Sequence, residues 1–302
     1  MYKQFYLILI TAVFYTNGFA QAVSPHNNFD SSSIIAAGAD LQLVSARFTF
    51  TEGPATDKKG NIFFTDQPDN KIWKYDINGE LSLFMDSAGR ANGMYFDHSG
   101  NLLACADEQN QLWSITPDGL TTVLLTELAG KHFNGPNDLW IHPNENIYFT
   151  DPYYQRSYWT RTAPELPGMY VYLYTKGKTP VAVATDLEKP NGIIGTTDGK
   201  YLYVADIKAS KTYRYDIMPD GSLASKMLFA NQGSDGMTID EKGNIYLSGK
   251  GITVFDPTGK MIQYIPVPGD WTGNLTFGGK DRNVLFITAS KAVFVLKMKV
   301  KG

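Results

Sequence analysis

The chain has 302 residues, 43% hydrophobic and 19% charged, with a formal net charge of −3. That composition suits one large globular domain, and the absence of a basic stripe excludes nucleic acid as a partner. A single cysteine, Cys105, excludes an intramolecular disulfide, and its place in an apolar strand signal predicts a buried, inert thiol.

Residues 1–22 read as a secretory signal peptide. Lys3 supplies a positive start, residues 5–15 an apolar core, and Gly18-Phe19-Ala20-Gln21-Ala22 a small-residue cleavage site. The apolar core is short for a membrane span, so the expectation is a periplasmic or secreted protein with no stable membrane insertion after signal cleavage. A polar lead-in follows over residues 23–40, loosely ordered to about residue 37, and a single domain occupies 41–302.

From residue 60 onward a β-rich unit recurs six times. Gly60-Asn61-Ile62-Phe63-Phe64 is echoed at Gly100, Glu145, Gly199, Gly243 and Arg282, with advances of 40, 45, 54, 44 and 39 residues. A repeat of about 40 to 50 residues that carries several short strands is the signature of a propeller blade. In the second unit, Gly93 to Asp97 reads as a first strand, His98-Ser99-Gly100-Asn101 as a turn, and Leu102 to Cys105 as a second strand. A third strand at Gln111 to Ile115 and a fourth at Thr121 to Leu125 follow. Trp73, Trp113, Tyr172 and Tyr213 recur on third strands, where packing between blades is expected. The fold class is therefore all-β, a six-bladed β-propeller with four antiparallel strands per blade. Residues 41–48 are expected to close the ring by pairing beside residues 292–298, which removes an exposed edge.

Counting back eight residues from the six unit starts gives Glu52, Asn92, Asn137, Asn191, Asp235 and Asn274. If each innermost strand begins at one mouth of the central channel, all six lie at that mouth. The loops after the second strands open there too. The third unit carries an extra stretch in that loop, residues 152–168, rich in Tyr, Trp and Arg, which should overhang the mouth as a lid. An all-oxygen set without imidazole or thiol favours a hard divalent cation, calcium first. Without one, two carboxylates at ~5 Å would repel by roughly 3 kcal/mol at an effective dielectric of 20. Asn92 and Asn274 read equally well as turn residues, whereas Glu52 fits no turn role. Asp66, Asp151 and Asp206, at the ends of second strands, read as loop buttresses. No phosphate-binding loop, nucleophile elbow or paired-His metal motif is present.

Several segments together resemble the SMP-30/gluconolactonase family: Thr51-Glu52-Gly53-Pro54, Phe133-Asn134-Gly135-Pro136-Asn137-Asp138, Lys189-Pro190-Asn191-Gly192, Ser234-Asp235-Gly236-Met237 and Gly273-Asn274-Leu275. The resemblance runs from about residue 44 to 298. It implies a six-bladed propeller with a channel-bound divalent cation that hydrolyses sugar lactones. Carried over by motif, Glu52, Asn191 and Asp235 hold the metal, Asn137 contacts metal or substrate, and Asp235 is the catalytic base. Asn92, His132, Asn134 and Tyr153 are expected substrate contacts. One departure stands out, because members often place an Arg where this chain has His132. The same polarised site could serve other esters or phosphotriesters, and a non-catalytic propeller that binds a ligand at its lidded face is the competing class.

Overall fold

The computed structural model describes residues 34–302. The expected signal peptide and most of the lead-in lie outside them. Among the described residues no helix is long and apolar enough to cross a membrane.

Six four-stranded antiparallel sheets follow one another along the chain. Their innermost strands are Thr51–Thr56, Ala91–Phe96, Leu139–Ile141, Pro190–Gly195, Met237–Ile239 and Thr272–Gly278. Five blades are formed by consecutive strands. The sixth takes its outer strand from the other end of the chain, with Gln42–Ser45 pairing antiparallel to Ala292–Lys297 in the register Gln42 to Val295 and Leu43 to Phe294. Phe48, Ile62, Phe64, Phe286 and Val293 pack beneath this seam and weld blade six to blade one. The closure extends upstream, since Ile34 is 2% exposed in the core and Ile35 bridges Met298. The start of the described chain is thus packed rather than loosely ordered.

The turn between first and second strands is built locally. Asp57 Oδ1 accepts the Lys59 and Asn61 N–H groups while Oδ2 accepts the Asn61 side-chain amide. Asp97 with Asn101, and Asp240 with Asn244, repeat the arrangement. The glycine of each turn has positive φ, +94° at Gly60, where a side chain would be strained. This chemistry explains why Gly-Asn marks the second strands of blades one, two and five so clearly.

At the other end of the inner strands the ladder breaks. Register shifts fall between Glu52 and Ala55, Ala91 and Met94, Pro190 and Ile193, and Thr272 and Asn274. In blades three and five the ladder begins only at Leu139 and Met237, just after Asn137-Asp138 and Asp235-Gly236. A bulge re-aims the side chain it carries. The offset residues therefore sit where backbone pairing does not dictate their direction. The aromatic third-strand positions pack as expected: Tyr172 is buried against Phe133 and Phe149, and Trp113 lies against the core between blades one and two.

Candidate active site

The six offset residues are neighbours around the channel. Gly93 N–H donates to Asn137 O at 2.7 Å and Gly236 N–H to Gly273 O at 2.8 Å. A Cβ on Gly53 would lie 1.9 Å from Asn92 O, and one on Gly192 would lie 2.6 Å from Asp235 O. Gly53 also holds φ at +42°, so the residue after Glu52 has to be glycine on two counts. A Cβ on Gly273 would lie 2.7 Å from Glu52 Oε1, which returns the circle to blade one.

Within this ring Glu52, Asn191 and Asp235 meet. Asn191 Nδ2 donates to Asp235 Oδ1 at 2.8 Å and to the Tyr154 hydroxyl at 2.9 Å. Trp271 Nε1 donates to Asp235 Oδ2 at 2.6 Å, and Asp235 shares a further side-chain hydrogen bond with Glu52. Gly53 N–H supports Glu52 Oε2 at 3.1 Å. Glu52 and Asn191 are buried and Asp235 is half-buried, and burial followed by the Asp235 charge pushes the Glu52 carboxyl well above its ordinary range. Asp235 is also raised by burial, but Trp271 and Asn191 both stabilise its charged form. Of the two, Glu52 is therefore the carboxyl held further above its ordinary range.

Asn191 Oδ1 is buried and has no hydrogen-bond partner among the described residues. Its amide nitrogen is engaged by Asp235 and Tyr154, and the oxygen lacks the donor that buried carbonyls ordinarily find. This orphaned oxygen, on an amide bonded to Asp235, and the Glu52 carboxyl bonded to the same Asp235 make an all-oxygen donor set that fits a hard divalent cation. Asn137 contributes to the same rim: its backbone is fixed by Thr150 O and Gly93 N–H, and its side chain makes no hydrogen bond to a described residue. The Asn92 side chain is likewise unpartnered. Asn274 differs, because Oδ1 accepts Leu275 N–H and its amide meets Asp138, so it braces the channel beneath the site. Asp138, fully buried there, has its carboxyl pushed up to about 8 by burial. Below this floor a cavity of ≈ 570 Å³ runs to the opposite mouth at Lys58, His98 and Glu241.

The inserted loop in blade three lies over the mouth as its length predicts. Its anchor is Asp107, at the end of the second strand of blade two. That buried carboxylate accepts Arg156 Nε at 2.8 Å, Tyr158 OH at 2.5 Å and Gln67 Nε2 at 3.2 Å, while Trp159 Nε1 reaches Asp107 O at 2.9 Å. Asp66, Asp151 and Asp206 are the buttresses expected of them. Each accepts backbone N–H groups from the segment that enters its own blade: Thr49 and Phe50, Asn134 and Gly135, Glu188 and Lys189. Cys105 is fully buried, and burial raises its thiol well above the usual range.

The expected substrate contacts separate in position. Asn134 is fully buried, and its amide nitrogen is taken by Asp151 O and Gly168 O, so it holds both ends of the insertion. His132 lies on an exposed hairpin, Glu127–Leu128 with Lys131–His132, and its Nδ1 is 2.9 Å from Glu165 Oε1. The departure from the family's usual Arg thus puts a Glu165-paired imidazole in its place. Tyr153 packs in the lid against Trp159 and Arg161. Trp271 carried no role in the sequence, and Tyr154 and Arg156 figured there only as part of the lid, not as neighbours of the triad.

Fold and site together define a six-bladed β-propeller with an oxygen-lined centre at one channel mouth. Residues 50–291 match the model of the SMP-30/gluconolactonase/LRE-like region, and the chain belongs to that family. It is 27% identical over 301 residues to a gluconolactonase of Zymomonas mobilis, covering 89% of this chain and 84% of that one. It is 25% identical to the lactonase drp35 of Staphylococcus aureus, over 74% and 72% of the two chains. Among solved structures, a gluconolactonase from Xanthomonas campestris superposes with a TM-score of 0.82 at 27% identity, covering 87% of this chain and 91% of that one.

Proposed function

We propose that this protein is a lactone hydrolase of the gluconolactonase type, dependent on a divalent cation, with calcium the first choice. The observation that carries the cation is the orphaned Asn191 Oδ1, on an amide whose nitrogen is bonded to Asp235, the carboxylate that also meets Glu52. Support for the lactone comes from the gluconolactonase and lactonase relatives, whose matches cover 74% to 89% of this chain. Glu52, Asn191 and Asp235 would hold the ion, with Asn137 beside them. When bound, such an ion polarises a lactone carbonyl and favours negative charge on its oxygen.

The remaining work falls to side chains. Asp235 takes the proton from the attacking water, and Trp271 and Asn191, one on each oxygen, keep the carboxylate ionised and aimed. Glu52 balances charge. Asn92, Asn137 and Tyr153 would meet substrate hydroxyls at the rim, and the lid would exclude bulk water from the mouth. Export by the signal peptide at residues 1–22 completes the proposal and would place the enzyme in the periplasm or medium.

The test is hydrolysis of glucono-1,5-lactone by purified protein before chelation, after it, and after calcium is returned. The reading requires activity that is lost and restored with the ion. Turnover that persists unchanged in the chelated protein removes the cation from the reaction, and no turnover of any lactone removes the lactonase.

A further inference from the structure

Two cations at the site mouth have no part in the reaction just described. Lys189 Nζ lies 3.7 Å from the centroid of the Tyr154 ring and Arg156 Cζ lies 5.5 Å from it. The hydroxyl of that same tyrosine accepts Asn191 Nδ2 at 2.9 Å. Both cations are thus one aromatic ring away from the proposed reaction centre. We propose that Arg156 and Lys189 form an anion-recognition subsite, and that the lactone this protein prefers carries a carboxylate or phosphate group. The substrate class rests on the lactonase reading; the subsite does not.

Charge pairing supports the assignment. Arg156 Nε is committed to buried Asp107, but its terminal nitrogens donate to no described residue and the side chain is 24% exposed. The Lys189 ammonium forms neither an ion pair nor a hydrogen bond with a described residue. Asp107 is balanced by Arg156, and a divalent cation would balance Glu52 and Asp235. Lys189 is then surplus positive charge that feels Arg156 across their shared tyrosine, and the planar fork of that guanidinium suits carboxylate or phosphate. Asp107 holds the Arg156 guanidinium, and the Lys189 ammonium rests on the Tyr154 ring at 3.7 Å. A neutral sugar lactone gives this pair only hydroxyl groups to bind.

The experiment compares three lactones in calcium: neutral glucono-1,5-lactone, 6-phosphoglucono-1,5-lactone and glucaro-1,4-lactone. The last two separate phosphate from carboxylate. The expected result is a kcat/KM for at least one anionic lactone about tenfold or more above that of the neutral one. Lys189→Met should cut that ratio about tenfold through KM. High salt should erode it in the wild type, as it does for partly exposed charges. Arg156→Lys, which keeps the charge but loses the fork, should cost less than Arg156→Met. Calorimetric titration of gluconate, 6-phosphogluconate and glucarate into the calcium-loaded protein should give the same ranking without turnover. Equal kcat/KM for neutral and anionic lactones, or a preference that survives both Lys189→Met and Arg156→Met, overturns the subsite. If no lactone is hydrolysed but 6-phosphogluconate or glucarate binds more tightly than gluconate and Lys189→Met removes that difference, the lactonase reading fails while the subsite stands.

Discussion

The two mouths of the channel use the same kinds of side chain to opposite ends. At the mouth away from the site, Asp57, Asp97 and Asp240 are each satisfied by backbone N–H groups and an asparagine amide no more than four residues away. At the site mouth Glu52, Asn191 and Asp235 come from blades one, four and five, and Asn191 Oδ1 is left without a partner. Polar groups satisfied within their own turn make structure. Those brought together from distant blades and left incomplete are available to a ligand.

That contrast can be broken or sharpened by substitution at either mouth. The largest effect is expected at Asp235→Asn, which removes the proposed base: kcat should fall on the order of 10³-fold at saturating calcium. A kcat within threefold of wild type would show that another group takes the proton. Next comes Trp271→Phe, which deletes the 2.6 Å donor to Asp235 Oδ2 while keeping an aromatic ring. Calcium affinity or activity should drop ~10–100-fold, the usual effect of losing a ligand's supporting partner, and unchanged values would make the indole a packing residue only.

The pH response is the third test. Because burial raises the Glu52 carboxyl, the cation-free fold holds a proton that the unfolded chain has released. Stability from this group is complete below the ordinary carboxylate range and is lost as pH rises through the raised folded value. Calcium displaces that proton, so its effect on thermal unfolding should be larger at pH 8 than at pH 5. At pH 8, a hundredfold excess over Kd should stabilise by about 2.7 kcal/mol. A calcium effect independent of pH would contradict the shared-proton arrangement.

The smallest effect on activity belongs to the opposite mouth. Asp57→Ala orphans two backbone N–H groups and the Asn61 amide, which should cost ~1–3 kcal/mol in denaturant unfolding. Lactone hydrolysis by the folded variant should match wild type. A loss of turnover there would mean that the two mouths are coupled.

Much of this division is legible in the sequence because it is periodic. The Asp-x-x-Gly-Asn turn is a local solution that repeats, and so is the polar residue eight positions before it, where four inner strands bulge. The ring closure was legible as well, since an alternating run ahead of the first unit has only one free edge to fill. Trp271, Tyr154, Arg156 and Lys189 escape that reading because they reach the site from crossovers and an insertion that keep no fixed offset. Topology held a usable signal for two of them: Trp271 and Lys189 stand three and two residues ahead of an offset asparagine, in segments that enter an inner strand at the site mouth. Asn134 shows the converse. Its motif puts it near the mouth, but only the fold reveals that Asp151 and Gly168 occupy its amide.

The most direct test of the central claim is a crystal structure of the protein soaked in manganese, with the ion located by its anomalous scattering. The account predicts one strong peak within about 2.0–2.6 Å of side-chain oxygens from Glu52, Asn191 and Asp235, with Asn191 Oδ1 among them. A protein that hydrolyses lactone in manganese yet shows no peak at that point, or shows one only elsewhere, would contradict it.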